Sequence, residues 1–194
     1  MHAPRHNSRS GFTLVEMIVA IAVFSVIMTI SVGTLLAMVD ANRKAQSLKS
    51  VIDNLNFAVE NMSRNMRVGT LYHCETTGSV TGAISAPQDC ASGGVLFAFE
   101  GHDGDPNDST DQIVYRFRNS ALERSLDGGG TFLPITAPEV AISDFKFYLT
   151  GSSVGDLIQP LATITIHGTA GVNERTSTEF NLQVTVSQRL IDIQ

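Results

Sequence analysis

Proline and charge are absent from long stretches of the N-terminal third of this sequence. No proline occurs between residues 12 and 86, and no charged residue occurs between residues 17 and 39. Because proline interrupts helices, its absence permits one long helix here. At about 1.5 Å per residue, the uncharged apolar stretch would form roughly 35 Å of helix, against about 30 Å for a bilayer core. The stretch therefore predicts a transmembrane helix.

Acidic residues are also absent from residues 1–11, which contain Arg5 and Arg9. A basic head before an apolar segment stays in the cytoplasm, so we expect everything after Asp40 to lie outside. A secretory signal peptide would have a shorter apolar core, of about 7–15 residues, followed by a small-residue cleavage site. This sequence has neither feature, and a plain single-pass anchor stays open as an interpretation.

Basic residues are scarce in the part expected outside. Without residues 1–11 the chain has 11 Lys and Arg against 19 Asp and Glu. Proteins that bind nucleic acid usually present a basic stripe to the phosphates, so this balance argues against direct nucleic-acid binding.

Cysteine is scarce as well, since the chain has only Cys74 and Cys90. Both lie in the part expected outside, where an oxidising compartment favours a disulfide. The chain-entropy model gives such a loop about 3 kcal/mol of stabilisation. A zinc site is the weaker alternative, because only His73 lies nearby in the sequence.

What is present after the apolar stretch predicts an α+β fold. Apolar residues recur every three or four positions, which indicates a helix with one buried face: Leu48, Val51, Ile52, Leu55, Ala58, Val59, Met62 and Met66. Gly69 is a plausible C-cap for a helix that starts near Phe12. Beyond it, short alternating β-branched and aromatic segments predict an antiparallel sheet that packs on the amphipathic half of the helix. The predicted strand segments are GVLFAFEG, DQIVYRFR, a hairpin around residues 127–130, EVAISDFKFYLTG, LATITIHGT and TSTEFNLQVTVSQRL.

The most specific motif opens the apolar stretch. The residues SGFTLVEMIVAIAVF, positions 10–24, place Gly11 and Phe12 before an apolar run that contains a single acid, Glu16. A charge at the bilayer centre costs roughly 2.5–3.5 kcal/mol on insertion scales, so an acid at the mouth of the run is a functional candidate. This pattern resembles the N-terminal signature of type IV pilins and type II secretion pseudopilins.

The resemblance implies a role for each of these residues. In that family a prepilin peptidase cuts after the glycine and methylates the new N-terminal residue, which here places the cut between Gly11 and Phe12. Glu16 then pairs with the N-terminal amine of a neighbouring subunit. The implied organisation is a basic leader at 1–11, a transmembrane and polymerisation helix at 12–39, an amphipathic half-helix at 40–68 and an exported β-rich domain at 69–194.

The resemblance also implies partners and a location. The expected partners are the prepilin peptidase, other pilin or pseudopilin subunits, the inner-membrane assembly platform, the membrane and, as a further candidate, a secreted substrate. The chain would cross the cytoplasmic membrane once, with its N-terminus inside, and then enter a pilus or pseudopilus. Its length, its large β-rich domain and Gly33, where many major pilins have proline, favour a minor subunit, most similar to a J-type pseudopilin. A membrane-anchored extracytoplasmic binding module that does not polymerise is the alternative.

A serine motif is a weak candidate for catalysis. The residues GSSVG, positions 151–155, fit the G-x-S-x-G pattern of hydrolases with Ser153 as nucleophile. That mechanism requires a strand, a sharp turn and then a helix. The residues that follow are interrupted by proline and β-like, so we expect a loop between strands and no enzymatic activity.

An acidic stretch, DGDPNDSTD, is a candidate for metal binding. It follows the opening of an oxygen-rich calcium loop at Asp103, Asp105, Asn107 and Asp111. The pattern then fails, because Asp108 replaces the turn glycine and Val114 stands where a bidentate glutamate belongs. We expect a solvated acidic loop, with calcium as the alternative and no other cofactor.

Overall fold

The computed structural model describes residues 11–80, 84, 86–138, 140–170 and 177–189. The basic part of the predicted leader, with Arg5 and Arg9, lies outside these residues. The chain divides into two compact units, residues 1–43 and 44–194. The elements in chain order are α1 (Leu14–Val68), β1 (Thr70–Glu75), β2 (Leu96–Glu100), β3 (Ile113–Arg118), β4 (Ala121–Ser125), β5 (Leu133–Pro134), β6 (Val140–Thr150), β7 (Leu161–Ala170) and β8 (Thr178–Ser187). The predicted α+β class is confirmed.

The helix α1 is continuous over 55 residues. It passes through Gly33 without interruption, as the absence of proline predicts. It ends at Val68, where the N–H of Gly69 donates to the carbonyls of Asn65 and Met66 at 3.1 and 3.2 Å. These two bonds satisfy carbonyl groups that the end of a helix leaves without intrahelical partners.

The second half of α1 buries one face, as its apolar spacing predicts. The buried residues are Val51, Leu55, Ala58, Val59, Met62, Ser63 and Met66. Ile52 was predicted for this face but is 40% exposed. It follows Val51 directly and is therefore rotated by about 100° around the helix, to the edge of the buried stripe.

The strands form two antiparallel sheets, where the sequence predicted one. The first has the order β1-β2-β3-β4-β5 and the second the order β6-β7-β8. The first sheet ends at β5, which has only two residues, and β6 pairs with β7 in the second sheet. An isolated bridge links the two sheets, with Gly94 and Phe147 exchanging backbone hydrogen bonds at 2.7 and 2.8 Å. All the predicted strand segments contain strands, but β1 was not predicted individually.

The buried face of α1 and both sheets share one hydrophobic core. Aromatic side chains dominate it: Tyr72, Phe97, Phe99, Tyr115, Phe145 and Phe147 are all fully buried. Two tyrosine hydroxyls tie the core to α1, since Tyr72 donates to the Met66 carbonyl and Tyr115 accepts from the Asn65 amide at 3.3 Å. Burial raises the pKa of both tyrosines.

A second, smaller core covers the other face of β2. It contains Ile84, Leu96, Ala98 and Val114, with Phe132 packed against it. All five residues of β2 are therefore buried. β2 is thus covered on both faces, and the residue that ends it, Glu100, is buried with it.

Candidate functional site

Thr13 determines where α1 begins. Its hydroxyl accepts a hydrogen bond from the N–H of Glu16 at 3.2 Å, and its carbonyl accepts from the N–H of Met17 at 3.2 Å. A threonine N-cap typically contributes about 1 kcal/mol to helix stability. Thr13 and Glu16 also have the spacing of a capping box, S/T-x-x-E. The helix therefore starts directly after the Gly11–Phe12 bond.

Gly11 and Phe12 are exposed. Both residues precede the helix as irregular, exposed chain, and Phe12 is 80% exposed. A Cβ added to Gly11 would meet no other atom within 4 Å. The fold of the chain therefore does not require glycine at this position, and a requirement for it would have to come from an enzyme that binds here.

Glu16 lies in the first turn of α1 and is exposed. A carboxylate near a helix N-terminus gains about 0.3–1 kcal/mol from the partial positive charge there. Within the part of the chain that the structure describes, no ion pair engages this side chain. Its carboxylate is therefore available to a positive group from another molecule.

The apolar half of α1 is exposed throughout and satisfies its own polar groups. The hydroxyls of Ser25, Thr29, Ser31 and Thr34 each donate to the carbonyl four residues earlier, at 2.5–2.8 Å. In lipid an unbonded donor is costly, and this back-bonding removes that cost. Among the described residues, α1 is the one helix that is long and apolar enough, by length and composition alone, to cross a membrane.

The structure joins Cys74 and Cys90 in a disulfide, which is the predicted pairing. Cys74 lies in β1, and the N–H of Cys90 donates to the carbonyl of Leu149 in β6 at 3.1 Å. The bond therefore ties the connection between β1 and β2 to both sheets. Gly94 packs against it closely, since a Cβ there would lie 2.6 Å from the Cys74 sulfur.

Beside the disulfide lies a buried pair that the sequence did not indicate. His73 Nε2 is 3.1 Å from Glu75 Oε1, and His73 Nδ1 is 2.6 Å from the Ala86 carbonyl oxygen. Both ring nitrogens of His73 therefore lie within hydrogen-bond distance of oxygen atoms. The two-residue spacing of His73 and Glu75 does not by itself predict that their side chains interact. The contact depends on the burial of both side chains.

The acidic loop between β2 and β3 uses its side chains to shape its own backbone. Asp105 Oδ1 accepts from the backbone N–H and the side-chain amide of Asn107, at 3.0 and 3.2 Å. Asp111 Oδ2 accepts from the N–H of Asp105 at 2.9 Å. Asp103, Asp105 and Asn107 are exposed, and Asp111 is half-buried. Across the described residues, no three His, Cys, Asp or Glu side chains are grouped to hold a metal ion.

Two buried residues at the ends of this loop were missed by the sequence analysis. Glu100 is 1% exposed and Gln112 is fully buried. Burial raises the pKa of the Glu100 carboxyl, the neighbouring Asp111 carboxylate raises it further, and the adjacent Gln112 amide and Gly101 backbone lower it in part. The sequence analysis placed these two residues at the ends of the predicted strand segments GVLFAFEG and DQIVYRFR, and only the tertiary structure shows that they are buried.

Ser153 lies in an exposed loop that joins β6 to β7. The connection runs from strand to loop to strand, as predicted, so the helix that a nucleophile elbow requires is missing from it. The carboxylate of Asp89 holds the loop by accepting from the N–H groups of Gly151 and Ser152, at 3.1 and 3.0 Å. Residues 151–155 therefore form part of the loop that connects β6 to β7.

Comparison with known families finds one match. The model described as the prokaryotic N-terminal methylation motif matches residues 6–32. No curated protein and no solved structure matches the chain. The match supports the predicted resemblance to type IV pilins and pseudopilins at the N-terminus. The chain carries the motif of a pilin-like subunit that is processed by a prepilin peptidase and methylated.

Proposed function

We propose that this chain is a minor pilin-like subunit of a type IV pilus or a type II secretion pseudopilus. One observation carries the proposal: the methylation motif at residues 6–32 coincides with an exposed peptide bond, a capped helix start and a fully exposed apolar helix. A plain membrane anchor requires the apolar helix alone. It has no use for the motif, for a particular residue at position 11 or for an acid at position 16.

In this proposal the chain is inserted into the cytoplasmic membrane by residues 12–39, with residues 44–194 outside. The prepilin peptidase removes residues 1–11 and methylates Phe12. The apolar helix then passes from lipid into the filament, where neighbouring helices take the place of lipid around it. The exported domain contacts other minor subunits at or near the filament tip, or a secreted substrate.

Glu16 has a defined task in this scheme. Cleavage creates a positively charged amine on Phe12, and the carboxylate of Glu16 in a neighbouring subunit compensates that charge in apolar surroundings. Removing one member of a buried charge pair typically costs about 3–5 kcal/mol, because the other charge is left unpaired. Pairing of this kind sets the register of an incoming subunit.

The first experiment measures the N-terminal mass of the protein recovered from native membranes of cells with an active prepilin peptidase. We expect a chain that begins at Phe12 and carries one added methyl group. The variant Gly11→Val should keep its leader, and Gly33→Val should be processed normally. A Cβ at either glycine meets no other atom within 4 Å, so a difference between the variants reports recognition by the peptidase rather than misfolding.

An intact leader on the wild-type protein would contradict the proposal. That outcome would favour the non-polymerising anchored module, and the function would then have to lie in the β-rich domain.

The second experiment measures incorporation into filaments. Glu16→Gln should be processed and inserted normally but incorporated at least tenfold less than wild type. Asp40→Asn is the matched control, because it removes an acid from the other end of the same apolar stretch. Normal incorporation of Glu16→Gln, or an equal loss in Asp40→Asn, would refute the assigned role of Glu16.

A further inference from the structure

The edge of β8 that faces away from β7 has no partner strand in the described part of the chain. β8 is the last strand of the order β6-β7-β8, and among the described residues no bridge outside this sheet involves residues 178–187. In an antiparallel strand every second residue directs its backbone N–H and C=O groups to the same side. Roughly half of the residues of β8 therefore present these groups along the outer edge.

The other outer strands of the two sheets are either closed or very short. The outer edge of β1 is closed by Gln88, which forms two backbone hydrogen bonds with it, at 2.9 and 3.1 Å. The strand β5 has only two residues, and one of them is Pro134. The outer edge of β6 is bridged by Gly94 at Phe147, and β6 also contains a bulge. Among the strands that the structure describes, β8 alone keeps a long open edge.

The strand β8 also lacks the features by which proteins protect an edge strand. Such features include lysines, prolines, bulges and a short length. β8 has ten residues and contains neither lysine nor proline, and its pairing with β7 runs over all ten positions without a shift in register. Glu179 is its one charged residue. A long, regular and nearly uncharged edge of this kind is a template for pairing with another strand.

The apolar side of β8 is only partly covered by the fold. In β7 the side chains of Ile164 and Ile166 are buried, at 1% and 0% exposure. The register places Val184 and Leu182 of β8 beside them. These two side chains and Phe180 pack against the same core but are only half-buried. A further strand beside β8 would cover the apolar surface that this row leaves exposed.

We propose that the outer edge of β8 binds an extended segment of another protein as an additional strand of the second sheet. In this mode of recognition, main-chain hydrogen bonds supply affinity, and pockets for alternate side chains supply specificity. The segment that fits is extended and has an apolar residue at every second position, because the exposed row on β8 is apolar. Only the compartment in which the partner is met rests on the proposed function, which places residues 44–194 outside the membrane.

The test uses the full chain in detergent micelles and a synthetic peptide with the sequence of β7, LATITIHGTA, which already pairs with the other edge of β8. We expect saturable binding of the labelled peptide, measured by fluorescence anisotropy. Amide hydrogen exchange should slow in residues 178–187 when the peptide binds. Exchange in residues 70–75 should not change, because Gln88 already closes the outer edge of β1.

Two methylated copies of the peptide are the matched controls. One copy has N-methyl groups on the amides of positions 162, 164 and 166, and the other has them on positions 163, 165 and 167. Successive N–H groups along a strand point to opposite sides, so only one of the two copies loses hydrogen bonds to β8. We expect that copy to bind about tenfold more weakly or worse, because several hydrogen bonds are lost at once. The other copy should bind as the unmodified peptide does.

Three outcomes would overturn the proposal. The first is the absence of saturable binding, and slow exchange of residues 178–187 in the free chain would then show that another segment of this chain closes the edge. The second is a free chain that sediments as a dimer with slow exchange in the same residues, which would identify a second copy as the occupant. The third is an equal effect of the two methylation patterns, which would show attraction through side chains alone. None of these outcomes changes the N-terminal mass of the protein, so the proposed function is tested separately.

Discussion

At the scale of single residues, Gly69 illustrates how a correct sequence signal can have a different physical cause. The residue follows the last turn of α1, as a C-cap would, but it is not among the glycines with positive φ. Its neighbours are what demand glycine: a Cβ there would collide with the Phe99 ring and lie 2.9 Å from the carbonyl oxygen of Glu100. The end of the helix is therefore packed closely against β2.

This contact predicts a cost for the smallest possible side chain. We expect Gly69→Ala to lower the free energy of unfolding by about 1–3 kcal/mol, as overpacking of a filled core does. Chemical denaturation of the full chain in micelles measures it. Gly78→Ala is the control, since a Cβ there makes only ordinary contacts, at 3.6 and 3.9 Å. Equal stabilities for the two variants would show that the helix end and β2 can move apart freely.

At the scale of elements, α1 is one helix with two different surfaces. From Leu14 to Gln46 every residue is exposed, whereas Val51 to Met66 presents a stripe that is buried in the core. The continuity follows from local properties, namely the cap at Thr13 and the absence of proline. The difference in burial follows from what lies beside each half, because only the second half has strands packed against it.

The buried stripe joins the second half of α1 to the core of the β-rich domain. Met62 is fully buried, whereas Phe57 on the same helix is 73% exposed. We expect Met62→Ala to lower the free energy of unfolding by about 2–5 kcal/mol, from lost transfer energy and the cavity left behind. Phe57→Ala should change it by less than about 0.5 kcal/mol. Denaturation curves of both variants provide the check, and the reverse ranking would show that the assigned face is wrong.

At the scale of the whole molecule, the two units have different requirements. All residues from 11 to 43 are exposed in the single chain, so they require lipid or neighbouring helices to cover their apolar surface. Residues 44–194 contain both hydrophobic core clusters and the disulfide. In the proposed function, a chain built in this way would exchange lipid for neighbouring helices around residues 11–43 without unfolding its β-rich domain.

This division predicts that the second unit folds alone. A chain of residues 44–194, exported to an oxidising compartment, should be soluble and monomeric, contain the Cys74–Cys90 bond and unfold in one cooperative transition. Size-exclusion chromatography and thermal unfolding followed by circular dichroism test this. Because a domain with its own core can fold independently, aggregation or the absence of a transition would show that residues 1–43 contribute to the fold.

The sequence alone determined the features that depend on neighbours along the chain. The length of α1, the cleavage motif at Gly11 and Phe12, the strand segments and the pairing of Cys74 with Cys90 could all be predicted from it. Each depends on local periodicity, the absence of helix breakers, or a motif within a few residues. These features depend on the order and spacing of residues along the chain, and tertiary contacts did not change them.

Only the tertiary structure decided which groups are covered. It divided the predicted sheet in two, packed Gly69 at the end of α1 against Phe99, and buried Glu100 and Gln112 at the ends of the predicted strand segments that flank the acidic loop. Burial depends on the segments that pack over a residue, and here these come from distant parts of the chain. For that reason the acidic loop of residues 103–111 is visible in the sequence, whereas the burial of Glu100 and Gln112 at its two ends is not.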